Sequence, residues 1–137
     1  MARLSIRIDL GDGHRIGPGK VRLLEAIAEH GSISAAGRAL GMSYRRAWVL
    51  VEAMNHGFGR PVVATQAGGR AGGGAHLSDL GAHVVARYRA VEDAAEAAAR
   101  PFLDGFASPE DGARLSVAGT DIRKRRLIPH QRNTGSS

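Results

Sequence analysis

The sequence contains no cysteine, and this absence removes several classes of protein from consideration. Without thiols the chain can form no disulfide framework, no zinc ribbon and no cysteine nucleophile. No apolar run approaches the ~20 residues that a membrane-spanning helix needs. The first ten residues alternate in polarity and lack the charged and apolar regions of a signal peptide. We therefore expect a soluble, cytoplasmic protein without a membrane partner.

Motifs of nucleotide-binding and hydrolytic enzymes are also missing. There is no GxGxxG, and GHRIGPGK at 13–20 is one residue too long for a P-loop and is followed by Val21 instead of Ser or Thr. The six histidines form no i,i+4 pair and have no carboxylate cluster nearby, and no Ser/His/Asp grouping suggests hydrolysis. We predict that the chain is not an enzyme and has no metal site and no cofactor.

Acidic side chains are scarce in the middle of the chain. The formal net charge is +6, and residues 31–76 hold five arginines against a single acid, Glu52. This basic window favours a polyanionic partner.

The basic window begins with two short helical patterns separated by Gly41, a residue suited to the positive φ at a helix end. Ser32 or Ser34 can cap the first helix, and Ser43 can cap the second. The apolar positions at helical spacing are Ile33, Ala36, Leu40, Ala47, Leu50, Val51 and Met54. Two helices crossing at a glycine-containing turn form a helix-turn-helix.

Long polar side chains occupy the first turn of the second helix, off its apolar stripe. The planar forks of Arg45 and Arg46 can each bond the O6 and N7 acceptors of guanine in the major groove. Tyr44 can bond a phosphate or pack on a thymine methyl. The alternative is a solvated arginine pair, which the position at a helix start disfavours. Trp48 is expected to pack between helices. The predicted partner is double-stranded DNA.

Residues 57–77 have the composition of a β-hairpin. Val62, Val63 and Thr65 favour a strand, the glycine-rich run AGGRAGGGA follows, and Leu77 lies on the returning strand. This hairpin would be the wing of a winged helix-turn-helix, with Arg70 as the charge at its tip. The other interpretation, a phosphate cradle of an enzyme, lacks the lysine that would follow the glycines.

Two further elements precede the basic window. Residues 4–10 alternate between apolar and polar side chains, which predicts a half-buried strand that can complete the wing sheet. A helix is expected from Pro18 to His30, closed by Gly31. Its predicted buried face consists of Val21, Leu24, Ile27 and Ala28.

After the wing, Ser78 can cap a long helix that runs to about Phe102. Two interleaved series of residues run along it, and within each series the members are seven residues apart. This period is the pattern of a coiled-coil seam. We predict a homodimer through this helix, and the alternative is that the stripe packs only on its own domain. The predicted interface residues are Leu77, Val84, Tyr88, Val91 and Phe102.

The expected organisation is a mainly α winged helix-turn-helix with a small β-sheet over residues 1–105, whose long terminal helix covers about 78–102. Residues 106–137 have few large apolar side chains and no periodicity, so a disordered basic tail is expected. The cluster at 123–126 is either a solvated run or an arm for phosphate contacts.

The motifs of the basic window and wing resemble the DNA-binding domain of ModE-family molybdate-responsive transcriptional regulators. The matching segments are GSISAAGRALGMSYRRAW at 31–48, MN at 54–55, GGRAGGGAHLSDLG at 68–81 and Tyr88. The resemblance covers about residues 4–105. More distantly, the segment is similar to the winged helices of LysR-type regulators, in which a long linker helix also forms the dimer.

This resemblance implies that the start of the second helix meets the major groove and that the wing lies along the flanking backbone. The candidate DNA-binding residues are Ser34, Ser43, Tyr44, Arg45, Arg46, Gly69, Arg70, Gly72 and Gly73. Full-length family members carry molybdate-binding domains after the long helix, and this sequence ends about thirty residues past it. Direct molybdate binding is therefore not expected.

The leading hypothesis is a dimeric, sequence-specific transcriptional regulator without its own effector domain. One competing hypothesis is a protein–protein adaptor that uses the winged fold and the long helix. Another is a small oxyanion- or phosphate-binding protein that uses the glycine loop.

Overall fold

The computed structural model describes residues 2–67 and 73–106. Residues 4–98 contain one compact unit, and the described residues 2–3 and 99–106 belong to a second. In chain order the elements are β1 (Ile8–Gly11), β2 (His14–Ile16), α1 (Pro18–His30), α2 (Ile33–Ala39), α3 (Tyr44–Phe58), β3 (Val63–Thr65), β4 (Ala75–Leu77) and α4 (Asp79–Asp104). The prediction of a mainly α winged helix-turn-helix with a long last helix is confirmed.

Helix α1 has the predicted limits because its two ends are fixed by local chemistry. Pro18 occupies the first turn, where a missing N–H costs nothing. Gly31 ends the helix with φ 75°, and its N–H bonds to the carbonyl of Ile27 at 2.9 Å. The buried face is Val21, Leu23, Leu24, Ala26 and Ile27. Ala28, which was expected on that face, is exposed.

The two helices of the helix-turn-helix are each capped by a serine. Ser32 Oγ accepts a hydrogen bond from the N–H of Ala35 at 3.0 Å, and Ser43 Oγ accepts one from Arg46 at 3.1 Å. Gly41, with φ 68°, turns the chain between them. At Gly37 a Cβ would lie 3.4 Å from the Cβ of Ala47, so glycine allows α2 and α3 to approach closely.

The expected pairing of the N-terminal strand with the wing is wrong. Strand β1 pairs antiparallel with β2, and the described wing sheet contains only β3 and β4. A tight turn at Gly11, Asp12 and Gly13, all with positive φ, brings β2 back onto β1. The register shift between Asp9 and Gly11 interrupts the alternation, and this leaves Leu10 46% exposed.

Helix α4 begins against the wing. Ser78 donates its hydroxyl to the carbonyl of Pro61 at 2.6 Å and accepts the N–H of Gly81 at 3.1 Å. Gly81 is required here because a Cβ would lie 2.1 Å from the carbonyl oxygen of Val62. Further along, Arg89 forms ion pairs with Glu25 of α1 and, at 2.6 Å, with Glu92. These contacts fix the first half of α4 against α1 and against the segment that leads into β3.

In the second unit, the described residues are 2–3 and 99–106. Arg100 donates a hydrogen bond to the carbonyl of Ala2 at 3.0 Å and pairs with Asp104 at 3.3 Å. The predicted tail from 107 onward lies outside the described residues. None of the helices in the described ranges is long and apolar enough to cross a membrane.

Candidate nucleic-acid interface

The start of α3 presents its polar side chains to solvent while its opposite face is held in the core. Ala47, Val51 and Met54 are at most 1% exposed, as the predicted stripe requires. Tyr44 is 56% exposed, and Arg45 and Arg46 are also exposed. The core therefore fixes the helix, and the first turn is left available to a partner.

Ser43 stands at the N-cap of this helix, directly before the arginines. Its oxygen accepts the Arg46 N–H at 3.1 Å, and its hydroxyl hydrogen is free to donate to an external acceptor. Positive partial charge and unpaired N–H groups at the same helix end favour an anion nearby.

Arg38, one of the five arginines of the basic window, extends this surface onto α2, although the sequence did not mark it as a DNA-binding residue. Arg38 Nη1 donates to Ser34 Oγ at 3.0 Å, an i,i+4 contact on an exposed helix face. The signal was present in the sequence, because the four-residue spacing places the two side chains on one face. Ser34 therefore orients a guanidinium rather than standing alone.

The exposed arginines of the basic window carry uncompensated charge. Among the residues that the structure describes, Arg38, Arg45, Arg46 and Arg60 form no ion pair with a carboxylate. A phosphate approaching this surface therefore does not have to displace an acidic partner.

An open groove of about 860 Å³ separates the helix-turn-helix from the wing. Tyr44 and Trp48 form one wall with their rings edge to face, 6.2 Å apart at 81°. Trp48 is half-buried and packs against the core, as expected. The other lining residues are Ser32, Ile33, Ser34, Arg38, Thr65, Gln66, Ala67, Gly73, Gly74 and Ala75. The lining combines polar and apolar side chains, and an open groove of this size can accept an extended strand of phosphates and sugars.

Hydrogen bonds that the sequence did not predict connect the wing to the helices. Asn55 Oδ1, in α3, accepts the N–H of Val62 at 2.8 Å and of Val63 at 3.3 Å. On the returning strand, the N–H of Ala75 donates to the carbonyl of Gly31 at 2.8 Å. The wing base therefore has a fixed position beside α3. Gly73 lines the groove, whereas Gly69, Arg70 and Gly72 lie outside the described residues.

The predicted interface residues of the long helix do not share one environment. Val84 and Tyr88 are only 8% and 2% exposed, because they lie in the core of their own chain. The Tyr88 hydroxyl also donates to the carbonyl of Ile6 at 2.7 Å. Little of either side chain is therefore left for a second chain, and their assignment to a contact between chains stays a prediction. Leu77 is the last residue of β4 and not part of α4, and it is half-buried against the same core. Val91 and Phe102 are 45% and 53% exposed.

One family model matches residues 19–82, and its description is "Bacterial regulatory helix-turn-helix protein, lysR family". The match begins in α1 and ends in the first turn of α4, so it includes α2, α3 and the wing.

Curated relatives also match part of the chain. Molybdenum transport protein ModE of Azotobacter vinelandii is 42% identical over 92 residues, which is 67% of this chain and 33% of that protein. Molybdenum-pterin-binding protein MopB of Rhodobacter capsulatus is 50% identical over 80 residues, 58% of this chain and 30% of that protein. Transcriptional regulator ModE of Haemophilus influenzae is 38% identical over 77 residues, 56% of this chain and 30% of that protein. The chain thus spans about a third of the length of the relatives it matches.

Proposed function

Since the helix-turn-helix region of this chain belongs to the ModE family of transcriptional regulators, we propose that the chain binds double-stranded DNA sequence-specifically and regulates transcription. The observation that carries the proposal is the first turn of α3. There Arg45 and Arg46 are exposed and unpaired on a helix whose other face is held by a rigid core.

In the proposed complex, the N-terminal end of α3 enters the major groove, which is about 12 Å wide and admits a helix. Arg45 and Arg46 donate in pairs to guanine O6 and N7. Each such pair contributes about 1–3 kcal/mol of discrimination against other bases. Tyr44, whose ring is already oriented by Trp48, meets a phosphate or a thymine methyl at the groove edge.

The groove between the helices and the wing takes the DNA backbone. Arg38, oriented by Ser34, supplies charge to this contact, and the Ser43 hydroxyl and helix N–H groups supply donors. Arg70 and the wing glycines would continue the contact along the flanking backbone. Phosphate contacts set the register and the affinity, so binding should weaken as salt rises.

The proposed active form is a homodimer. The exposed side chains Val91 and Phe102 of α4 are the part of the predicted stripe that a second chain would cover. A twofold dimer would contact a palindrome whose half-sites lie about 34–36 Å apart, one helical turn of DNA.

The names of several relatives refer to molybdenum. The expectation that this segment does not bind molybdate directly stays a prediction. Isothermal titration calorimetry of the chain with molybdate tests it, with heat of binding as the contradicting result.

Selection from a random duplex library tests the proposed function. The full chain should enrich a palindromic sequence, and a labelled copy should be displaced by the same unlabelled duplex far better than by a scrambled one. Equal displacement by both duplexes would contradict sequence-specific binding and favour the adaptor hypothesis.

A further inference from the structure

Val49 is an apolar residue on the outward surface of α3. It is the sixth residue of the helix, and its side chain is 59% exposed. The neighbouring stripe residues Ala47 and Val51 are 0% and 1% exposed. Val49 is not among the residues that form the core or pack against it.

Helical geometry places Val49 next to the arginine surface. At 3.6 residues per turn, Val49 follows Arg45 by about one turn and lies opposite the centre of the buried stripe. A partner that lies along the helix and contacts Arg45 therefore also contacts Val49, one turn further on.

Neither the helix nor the core accounts for a valine at this position. Branching at Cβ makes valine a weaker helix former than alanine, and an exposed side chain removes little apolar surface from water. An external apolar contact would use the two methyl groups that the chain itself leaves uncovered.

We infer that Val49 is a specificity-determining residue that packs on the C5 methyl group of a thymine in the major groove. This inference rests on the proposed function. The thymine methyl is the apolar group among the base edges of the major groove, and a valine with no donor or acceptor matches it alone. With Arg45 on guanine one turn earlier, the inference assigns a guanine and a nearby thymine to each half-site.

Deoxyuridine substitution tests the inference, because uracil differs from thymine only by this methyl group. The duplex enriched by the full chain is resynthesised with deoxyuridine at one thymine position of each half-site at a time. Binding of wild type and Val49→Ala is then measured by fluorescence anisotropy. At one thymine position, loss of the methyl should weaken wild-type binding about fourfold per half-site, the effect of one buried methyl group.

In Val49→Ala the same substitution should have no effect, because the methyl has lost its partner. Leu10→Ala is the matched control: it truncates an apolar side chain that is 46% exposed on β1, and it should keep the wild-type sensitivity. Val49→Ala should fold, since alanine favours the helix.

The outcomes separate the inference from its premise. Wild type that binds its selected duplex but responds to no thymine methyl would overturn the inference and leave the proposed function intact. A methyl effect of equal size in Val49→Ala would also overturn it. Failure to enrich any sequence would instead overturn the proposed function and the inference with it.

Discussion

The side-chain oxygen of Asn55 accepts the backbone N–H of Val62 at 2.8 Å, and this bond joins the end of α3 to the start of the wing. Because the same oxygen also accepts the N–H of Val63 at 3.3 Å, one amide satisfies the last donor before β3 and the first donor within it. Asn55 is therefore a direct link between α3 and the base of the wing.

Replacing Asn55 by Ala should destabilise the fold by about 1–3 kcal/mol, since two partly buried N–H groups lose their acceptor. Urea unfolding followed by circular dichroism measures the change. Asn55→Asp, which keeps an acceptor oxygen at the same place, should retain most of the stability. An Ala variant as stable as the Asp variant would contradict the anchoring role.

Gly81→Ala should destabilise the chain by about 1–3 kcal/mol or more, because the added Cβ cannot fit 2.1 Å from the carbonyl oxygen of Val62. Gly19→Ala is the control: it places the same methyl group on a helix, where no atom beyond the neighbouring helix backbone lies within 4 Å. That variant should be neutral or slightly stabilised. Thermal unfolding of both variants checks the comparison, and equal midpoints would refute the close packing of α4 on the wing.

Stability should fall as the pH drops below about 6.5, the ordinary pKa of histidine, because the fold disfavours protonated His14. Burial, and secondly the charge of Lys20, lower the pKa of His14. Its ring packs edge-on against Phe58, 4.5 Å between centroids, and its Nε2 makes no hydrogen bond with any described residue. Below that pH the unfolded chain takes up the proton more readily than the folded chain, so unfolding becomes easier.

Urea unfolding at pH 7.5 and pH 5 compares wild type with His14→Gln, which cannot titrate. Wild type should lose more stability between the two pH values than the variant, since the other histidines are common to both. An equal loss in the two proteins would rule out His14 as the source.

Val91→Glu should convert the proposed dimer into a monomer, because it puts a charge on the exposed part of the α4 stripe. Sedimentation equilibrium gives the mass directly. Leu10→Glu makes the same change at a side chain of nearly equal exposure, 46% against 45%, and should leave the dimer intact. A wild-type chain that sediments as a monomer would refute dimerisation through this segment.

The sequence predicted elements wherever local chemistry determines them. The limits of α1 follow from Pro18 and Gly31, and the two serine caps follow from Ser32 and Ser43. The pairing of β1 was mispredicted because alternation identifies a strand without identifying its neighbour. Strand β2 is only three residues long and has no alternating pattern of its own.

Periodicity likewise identifies an apolar face without showing what covers it. The seven-residue series on α4 gave the right helix, yet Val84 and Tyr88 pack inside their own chain. The sequence did not single out Val49 as a contact residue. An apolar residue between two buried positions of a helix is recognised as an outward-facing contact only when its exposure is known. The wing tip, with Arg70, lies outside the described residues, so its role stays a prediction.

The central claim is that the first turn of α3 recognises DNA, and the most direct test compares wild type with Arg45→Ala/Arg46→Ala. Fluorescence anisotropy on the selected and scrambled duplexes, at several salt concentrations from 50 to 200 mM, measures affinity and preference together. Wild type should prefer the selected duplex and weaken steeply with salt. The double variant should lose about 1–3 kcal/mol of preference per arginine while keeping weak, salt-dependent binding to both duplexes. An unchanged preference in the double variant would contradict the account.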